Sequence, residues 1–388
     1  VSDIAQPGPT GRTAGSFAFV AGLAVALVGL ALGIVFLVDR NAAANLLANI
    51  QDALGNSAEA QALRRGGGDR TLAKLLLAGV ALVVGVGGIW LFYAGLNAIV
   101  ERLGAGWRRR ILPWVFVGPA LVLLTVFLVL PAVLTIVTSL TERGGLQNYQ
   151  WALTDPSMQA MFRNNVIWLI VGTAGAVGLG LLIAGLVDRV RFEATAKTFI
   201  FLPLAISLVG ASVIWRFVYV WRPEGQPQYG LLNAVWTSLG FDPVPWVQTS
   251  PINTYLLIVI LIWLQTGFCM VVLSAAIKGV SAEITEAARL DGATERQLFL
   301  RIIVPSIRGS LLTVTITTAI VVLKVFDIVY VMTGGRFDTD VVANQMFLQL
   351  FQYGNHGRAA TLAVLLFVAV LPFMVLNLRN VRRQGLVA

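Results

Sequence analysis

Eight mostly apolar stretches, at residues 16–38, 75–100, 111–140, 166–187, 199–220, 255–277, 311–331 and 360–378, set the limits on what this chain can become. A helix needs about 20 such residues to cross the hydrocarbon of a bilayer. Water is absent there, so a spanning segment must satisfy its own backbone, which leaves only helices and closed barrels. Barrel strands are excluded because they run to about 10 residues with alternating polarity, whereas these stretches are long and uniformly oily. Composition agrees: 57% of the 388 residues are hydrophobic and 12% charged, against about 25% charged in soluble domains. The expected fold is an all-α polytopic transmembrane helical bundle of about eight spans.

A net charge of +9 could suggest nucleic acid, so its location matters. Residues 1–15, 101–110, 188–198, 278–310 and 379–388 fall on one side of an eight-span topology, and they hold roughly two basic residues for each acidic one, the bias of a cytoplasmic face. Both termini are therefore expected in the cytoplasm, and the basicity requires no nucleic acid. Cys269 is the sole cysteine and His356 the sole histidine, which leaves no disulfide and no thiol or imidazole metal cluster to build within the chain. The first apolar run follows Arg12 and ends in LVDRN without a small-residue cleavage site, so it reads as a retained anchor rather than a signal peptide.

No phosphate-binding loop, HExxH or GxSxG motif occurs. Only Arg216, Lys324 and Asp327 carry charge at membrane depth, where ionisable groups are costly and usually functional. Lys324 and Asp327, three residues apart, would share one face of a helix and neutralise each other or line a polar path. Two outer loops, 221–252 and 333–359, are large enough to plug the bundle or to dock an outside partner. Residues 39–70 place Leu46, Leu47, Ile50 and Leu54 at helical spacing and then break at Gly66, Gly67 and Gly68, as either a surface helix or a linker. An ion-coupled carrier of a small polar metabolite is one reading of such a chain; a membrane enzyme would need a nucleophile and base that are not found.

The polar segment SAEITEAARLDGATERQLFLRIIVPSIRGS, residues 281–310, is the exception in an otherwise oily chain. Ser281 is placed to cap a helix, with Glu283 in its first turn. Gly292 ends that helix, and Thr294 with Gln297 forms a capping box for a second one running to Pro305. Ala287, Ala288, Leu290, Phe299 and Ile302 make an apolar side, and Glu283, Arg289 and Arg296 a charged side. The expectation is a helix, hinge and helix on the cytoplasmic face, shaped to fit a groove of another protein.

Glu286-Ala287-Ala288, Asp291-Gly292-Ala293, Phe299, Ile302 and Pro305 resemble the EAA signature of permease subunits in binding-protein-dependent ABC importers. The similarity extends over residues 111–388. Pro119-Ala120, Pro131, LPLAIS at 202–207, Trp215-Arg216, YGLLN at 229–233 and VFDIVYVMTGG at 325–335 resemble the carbohydrate branch, in particular maltose and α-glucoside permeases. One departure is the lack of a second proline shortly after Pro305, where Arg308, Gly309 and Ser310 stand. The resemblance implies a type I importer permease fold, with residues 1–110 as an extension bearing two spans and 111–388 as a six-helix core. It implies a bacterial inner-membrane protein with no covalent chemistry and no cofactor of its own. The partners it implies are a second permease in a heterodimer, two ATPase subunits that bind ATP and Mg, and an extracytoplasmic sugar-binding protein. It assigns ATPase coupling to Glu286, Ala287, Ala288, Asp291 and Gly292, and contact with an oligosaccharide such as maltose or trehalose to Ser207, Gln265, Phe268, Thr318 and Lys324. Leu204, Leu208, Leu264 and Val322 occupy neighbouring cavity positions but are apolar, and core packing suits Leu204, Leu208 and Val322 better.

Overall fold

The computed structural model of the chain describes residues 105–383 apart from 143 and 189, together with residues 48, 49, 51, 52, 55–64, 79 and 87. The two N-terminal apolar stretches at 16–38 and 75–100 and the helical spacing of Leu46, Leu47, Ile50 and Leu54 lie outside the residues so described, or largely so. All regular structure among the described residues is helical. The chain divides into two units, Val1–Leu130 and Pro131–Ala388. The first contributes α1 (Ser57–Arg64) and α2 (Ala105–Leu124), with a π-helical turn at Thr125–Val129. The second starts with α3 (Leu130–Thr141), α4 (Leu146–Thr154) and α5 (Pro156–Ile167), which passes through a π turn, Trp168–Gly172, into α6 (Thr173–Val187). Next come α7 (Glu193–Phe201), a 3-10 turn Leu202–Ala205, α8 (Leu208–Val218), α9 (Leu231–Ser238) and α10 (Ile252–Lys278). The polar insert supplies α11 (Ala282–Leu290), α12 (Glu295–Gln297), a π turn Leu298–Ile303 and α13 (Val304–Ser306). The chain closes with α14 (Arg308–Leu323), α15 (Asp327–Met332), α16 (Val342–Phe351) and α17 (His356–Arg383).

Among the described residues four segments are long and apolar enough to cross a membrane unaided, Ala120–Thr141, Pro156–Val187, Ile252–Lys278 and His356–Asn380, and counting each of two bent pairs as one span gives six. These six correspond to the last six stretches read from the sequence. Two of them are not the straight helices expected. The stretch at 199–220 turns through 100° between Glu193–Ala205 and Leu208–Val218, because Pro203 removes a backbone donor and the chain tightens into a 3-10 turn. The stretch at 311–331 stops at Lys324 and restarts at Asp327. Lys324 and Asp327 therefore do not share a helix face, and no ion pair joins them among the described residues.

Helix α10 is the axis of the second unit, with 56% of its apolar window enclosed. Its neighbour α6 approaches it closely through small residues: a Cβ on Gly180 would lie 2.5 Å from Cys269 Cβ and 2.9 Å from the Met270 nitrogen. Such contact suits a bilayer, where lipid is as apolar as leucine and helices associate by close packing. Trp168, Leu257, Ile258, Leu261, Val322, Ile328 and Val329 form the core between α10 and the broken span. Helix α17 packs on α14 and α16.

Buried asparagines hold what the helices leave open. Asn165 Nδ2 donates to the Leu323 carbonyl at 3.3 Å, and its Oδ1 accepts from the Val342 amide at 2.9 Å. Asn164 donates to the Asp338 and Asp340 carbonyls, and Asn253 to that of Phe337 at 2.7 Å. On the other outer loop Asn233, fully enclosed, donates to the carbonyls of Val220 and Val244 and accepts from the Val244 amide and Trp246 Nε1.

Replacing Asn165 with leucine strands a carbonyl and an amide, each costing about 1–3 kcal/mol when buried without a partner. The Asn165→Leu protein is expected to unfold a few degrees earlier in detergent than the parent, by thermal scanning. A second expectation concerns Asp340, half-buried in the loop that these asparagines hold. Burial pushes its carboxyl up to about 6 from 3.8, against the lowering effect of hydrogen bonds from Asn344 and the Val341 amide. The folded carboxyl keeps its proton to higher pH than the unfolded one, so its contribution is complete below pH 3.8 and is lost as pH rises through about 6. Protection of residues 333–345 from amide exchange, taken relative to the intrinsic rate at each pH, should fall between pH 4.5 and 7, and Asp340→Asn should flatten that fall.

Candidate functional site

The polar insert at residues 281–310 folds as the helix, hinge and helix that its residues suggest. Helix α11 ends in a motif closed by two bonds, from the Ala293 amide to the Ala288 carbonyl at 3.0 Å and from the Gly292 amide to that of Arg289 at 3.1 Å. This closure requires a left-handed residue, and Gly292 supplies it with φ +80°. Thr294 then caps the next turn, its hydroxyl accepting from the Gln297 amide while the Gln297 side chain accepts from the Thr294 amide. Arg289 Nε reaches Glu295 Oε1 at 3.1 Å across the hinge. Two details differ from the sequence reading. Ser281 occupies the N-cap position but makes no side-chain cap bond. Leu290 does not turn inward with Ala288; it is 89% exposed.

The inward side of this bracket is a small core of Ala288, Leu298 and Ile303 packed against Ile277 at the end of α10. The Phe299 ring sits on Gly185 of α6, where a Cβ would come within 2.6 Å of its edge. The outward side presents Glu286, Ala287, Asp291 and Gly292 as exposed residues, with Ile284 and Leu290 as large apolar groups among them. The five positions expected to couple thus divide, with Ala288 buried in the bracket and the other four on its surface.

The five positions expected to meet substrate are not all in one place. Ser207 is exposed and caps α8, its hydroxyl accepting from the Gly210 amide at 3.0 Å. Gln265 and Phe268 lie half-buried one turn apart on α10, and the Leu202–Ala205 turn leading to Ser207 packs on the same helix. Thr318 is buried, its hydroxyl 3.5 Å from Cys269 Sγ. Lys324 stands apart at the rim of an apolar cavity of 520 Å³ with Phe326, Met346 and Phe347. Leu264 and Val322 are buried in the core.

Sequence reasoning did not anticipate a cavity of 980 Å³, which brings Arg216 of α8 together with Trp221 and Gln248 of one large loop and Arg336 and Gln352 of the other. Arg216 was the only signal for it, as a charge at the outer end of a span.

Comparison with known proteins bears on both regions. The model of the family described as "binding-protein-dependent transport system inner membrane component" matches residues 176–384, a range that contains the bracket, Ser207, Gln265, Phe268, Thr318 and Lys324. The osmoprotective compounds uptake permease protein GgtC of Synechocystis sp. is 53% identical over 274 residues, covering 69% of this chain and 98% of that protein. The α-glucoside transport system permease protein AglF of Rhizobium meliloti is 46% identical over 283 residues, covering 71% of this chain and 84% of that protein. In fold, the chain matches a subunit of a bacterial alginate ABC transporter crystallised with an alginate pentasaccharide-bound periplasmic protein, with TM-score 0.64 and 20% identity over 73% of this chain and 98% of that one. The chain belongs to the inner-membrane permease components of binding-protein-dependent ABC transport systems.

Proposed function

We propose that this chain is the translocating permease of an ATP-driven sugar importer and that its substrate is an oligosaccharide of the α-glucoside type. The observation that carries this reading is the hinged bracket on a chain of this family: a rigid, inwardly packed knob whose outer surface offers Glu286, Ala287, Asp291 and Leu290 to a neighbour. Compact helices transmit a push that a loose loop would absorb. Here Glu286, Ala287, Ala288, Asp291 and Gly292 form the piece that docks into a cleft of one ATPase subunit of a pair, and these subunits bind ATP and Mg in place of any cofactor in this chain. A second permease completes a heterodimer, and an extracytoplasmic binding protein delivers the sugar. Residues 111–388 act as the permease core, residues 1–110 as an added extension, and both termini lie in the cytoplasm.

The sugar class rests on the relatives, which include proteins named for α-glucoside, lactose, and trehalose and maltose transport. Sugar rings are held by planar hydrogen-bonding groups and aromatic faces. Gln265 and Phe268, one turn apart beside the Leu202–Ala205 turn, supply one of each. Ser207 adds a hydroxyl at the bend. Thr318 acts from behind by fixing Cys269 on α10, and Lys324 acts at the second break.

Two experiments test this reading. Gly292→Val forces a branched side chain into a left-handed backbone, at a cost of about 1–2 kcal/mol, while nothing within 4 Å obstructs a Cβ there. The variant should reach the membrane at parental levels yet import trehalose or maltose about tenfold more slowly per ATP hydrolysed. Leu290→Asp should reduce the ATPase recovered with the complex in mild detergent. Parental import by both variants would sink the coupling assignment. Gln265→Ala and Phe268→Ala should each raise the KM for the imported α-glucoside, and unaltered kinetics in both would remove α10 from the sugar path.

A further inference from the structure

We propose that Lys197 is a positioning residue that locks the inner half of the broken span to the bracket, so that movement of the bracket is delivered at the Leu202–Ser207 bend. This deepens the importer reading and rests on it for its transport consequence, though the lock itself does not.

Lys197 lies on α7 with its side chain only 19% exposed. Its ammonium reaches Asp188 Oδ1 at 2.5 Å and Glu193 Oε1 at 2.6 Å, and bonds the Ser274 hydroxyl as well. Ser274 in turn donates to Asp188 Oδ1 at 2.7 Å, and Lys278 pairs with Glu193. Three elements meet in this cluster. Asp188 caps the C-terminus of α6, Glu193 and Lys197 belong to the first turns of α7, and Ser274 and Lys278 to the last turns of α10. Lys278 is followed by only three residues before the bracket helix α11 starts at Ala282.

The same three helices are interlocked by shape. On α6, Gly180 meets the α10 backbone and Gly185 meets the Phe299 ring of the bracket. On α10, a Cβ at Gly267 would lie 2.6 Å from the Ile200 carbonyl of α7. Hence α6, α7, α10 and the bracket have little room to slide past one another. Beyond α7 the chain bends by 100°, and α8 packs mainly on α15, with Trp215 also edge-on to Trp263 of α10 at 5.8 Å. The bend is thus where the span passes from the end of α10 fastened to the bracket to the end that packs with α8 and α15. Ser207 sits at that bend, Gln265 and Phe268 lie half-buried on α10 on either side of Gly267, which meets the end of α7, and Phe268 packs against the core shared by α6, α10 and α14.

Charge makes Lys197 the keystone of the cluster. A half-buried cation removed from between two carboxylates leaves like charges facing each other, a larger disturbance than the loss of one contact. Lys197→Met should therefore release α7 from α6 and α10, whereas Lys197→Arg keeps the charge and a planar donor set for both carboxylates.

The test uses the full chain in nanodiscs and the intact transporter in proteoliposomes. Spin labels go at Phe199→Cys on α7 and Arg296→Cys on the bracket, with Cys269→Ala removing the native thiol. The parent should give one narrow distance distribution, Lys197→Met a broad one, and Lys197→Arg a narrow one. In proteoliposomes, Lys197→Met should import about tenfold less trehalose or maltose per ATP hydrolysed, with Lys197→Arg restoring most of the ratio. If Lys197→Met does not insert, the pair Glu193→Gln with Lys278→Met, on the more exposed edge, should show the same broadening to a smaller extent. An unchanged distance distribution overturns the lock. A broadened distribution with an unchanged import ratio overturns its role in delivering motion. Import by the parent that proceeds without ATP would overturn the importer reading and leave the lock to be judged on distance alone.

Discussion

A backbone break at membrane depth must find its own hydrogen-bond partners, and the architecture of this chain depends on how that demand is met. Nothing in the hydrocarbon can replace a lost helical bond, so a span can break only where side chains or tight turns take up the freed groups. At the first break Pro203 has no amide to satisfy, the Ile206 amide returns to the Pro203 carbonyl, and Ser207 caps α8. At the second break the Val325 amide bonds the Val322 carbonyl, while Asn165 reaches across to the Leu323 carbonyl. The first solution is local and the second is tertiary. That difference assigns them different freedom. A local turn can bend without losing partners, whereas a break closed by Asn165 is tied to α5 and, through Val342, to α16.

The legibility of the structure follows the same division. The last six span positions were readable because length and hydropathy decide membrane insertion with little help from tertiary structure. The hinge at Gly292 and the Thr294–Gln297 capping box were readable because both are satisfied within a few residues. The bend after Pro203 had a local signal, but an averaged apolar stretch hides it. The break at Lys324–Phe326 had no glycine or proline to mark it, and its decisive partner lies 158 residues away. The same holds for Asn164 and Asn253, whose acceptors are carbonyls of a distant loop. Leu290 was misjudged for another reason. An amphipathic pattern shows which residues avoid water, but it does not say whether the chain itself or a second protein covers them.

Rigid and yielding regions are arranged accordingly. The end that carries the bracket is held by backbone approaches at glycine and by the Lys197 cluster, both intolerant of sliding. The end that carries the two large loops is held by asparagine hubs and by ring contacts, such as Trp236 stacked on Phe241 at 4.4 Å and edge-on to Trp246 at 5.4 Å. Each region is stiff within itself. The connection between them along the first broken span is the 3-10 turn, closed by the bond from the Ile206 amide to the Pro203 carbonyl within its own few residues. A bundle of this kind changes state by moving bodies about a seam, because packed interiors do not deform continuously.

The bracket surface allows an estimate of what a motor subunit could contribute on the importer reading. Fully burying an exposed leucine or isoleucine is worth about 1.5–3 kcal/mol, so Leu290, 89% exposed, and Ile284, 50% exposed, together offer roughly 2–4 kcal/mol of apolar grip. Moving a two-state equilibrium from one extreme to the other takes about 5.5 kcal/mol of difference between states. The two quantities are of the same order, but they are not interchangeable. A groove that holds Leu290 equally well in both states of the permease shifts nothing, however tightly it binds. The apolar contact therefore serves attachment, and the directional work has to come from a groove that changes position while keeping its hold. That requirement favours a short, hinged and internally packed bracket over a flexible loop, since displacement is transmitted only by a body that does not yield.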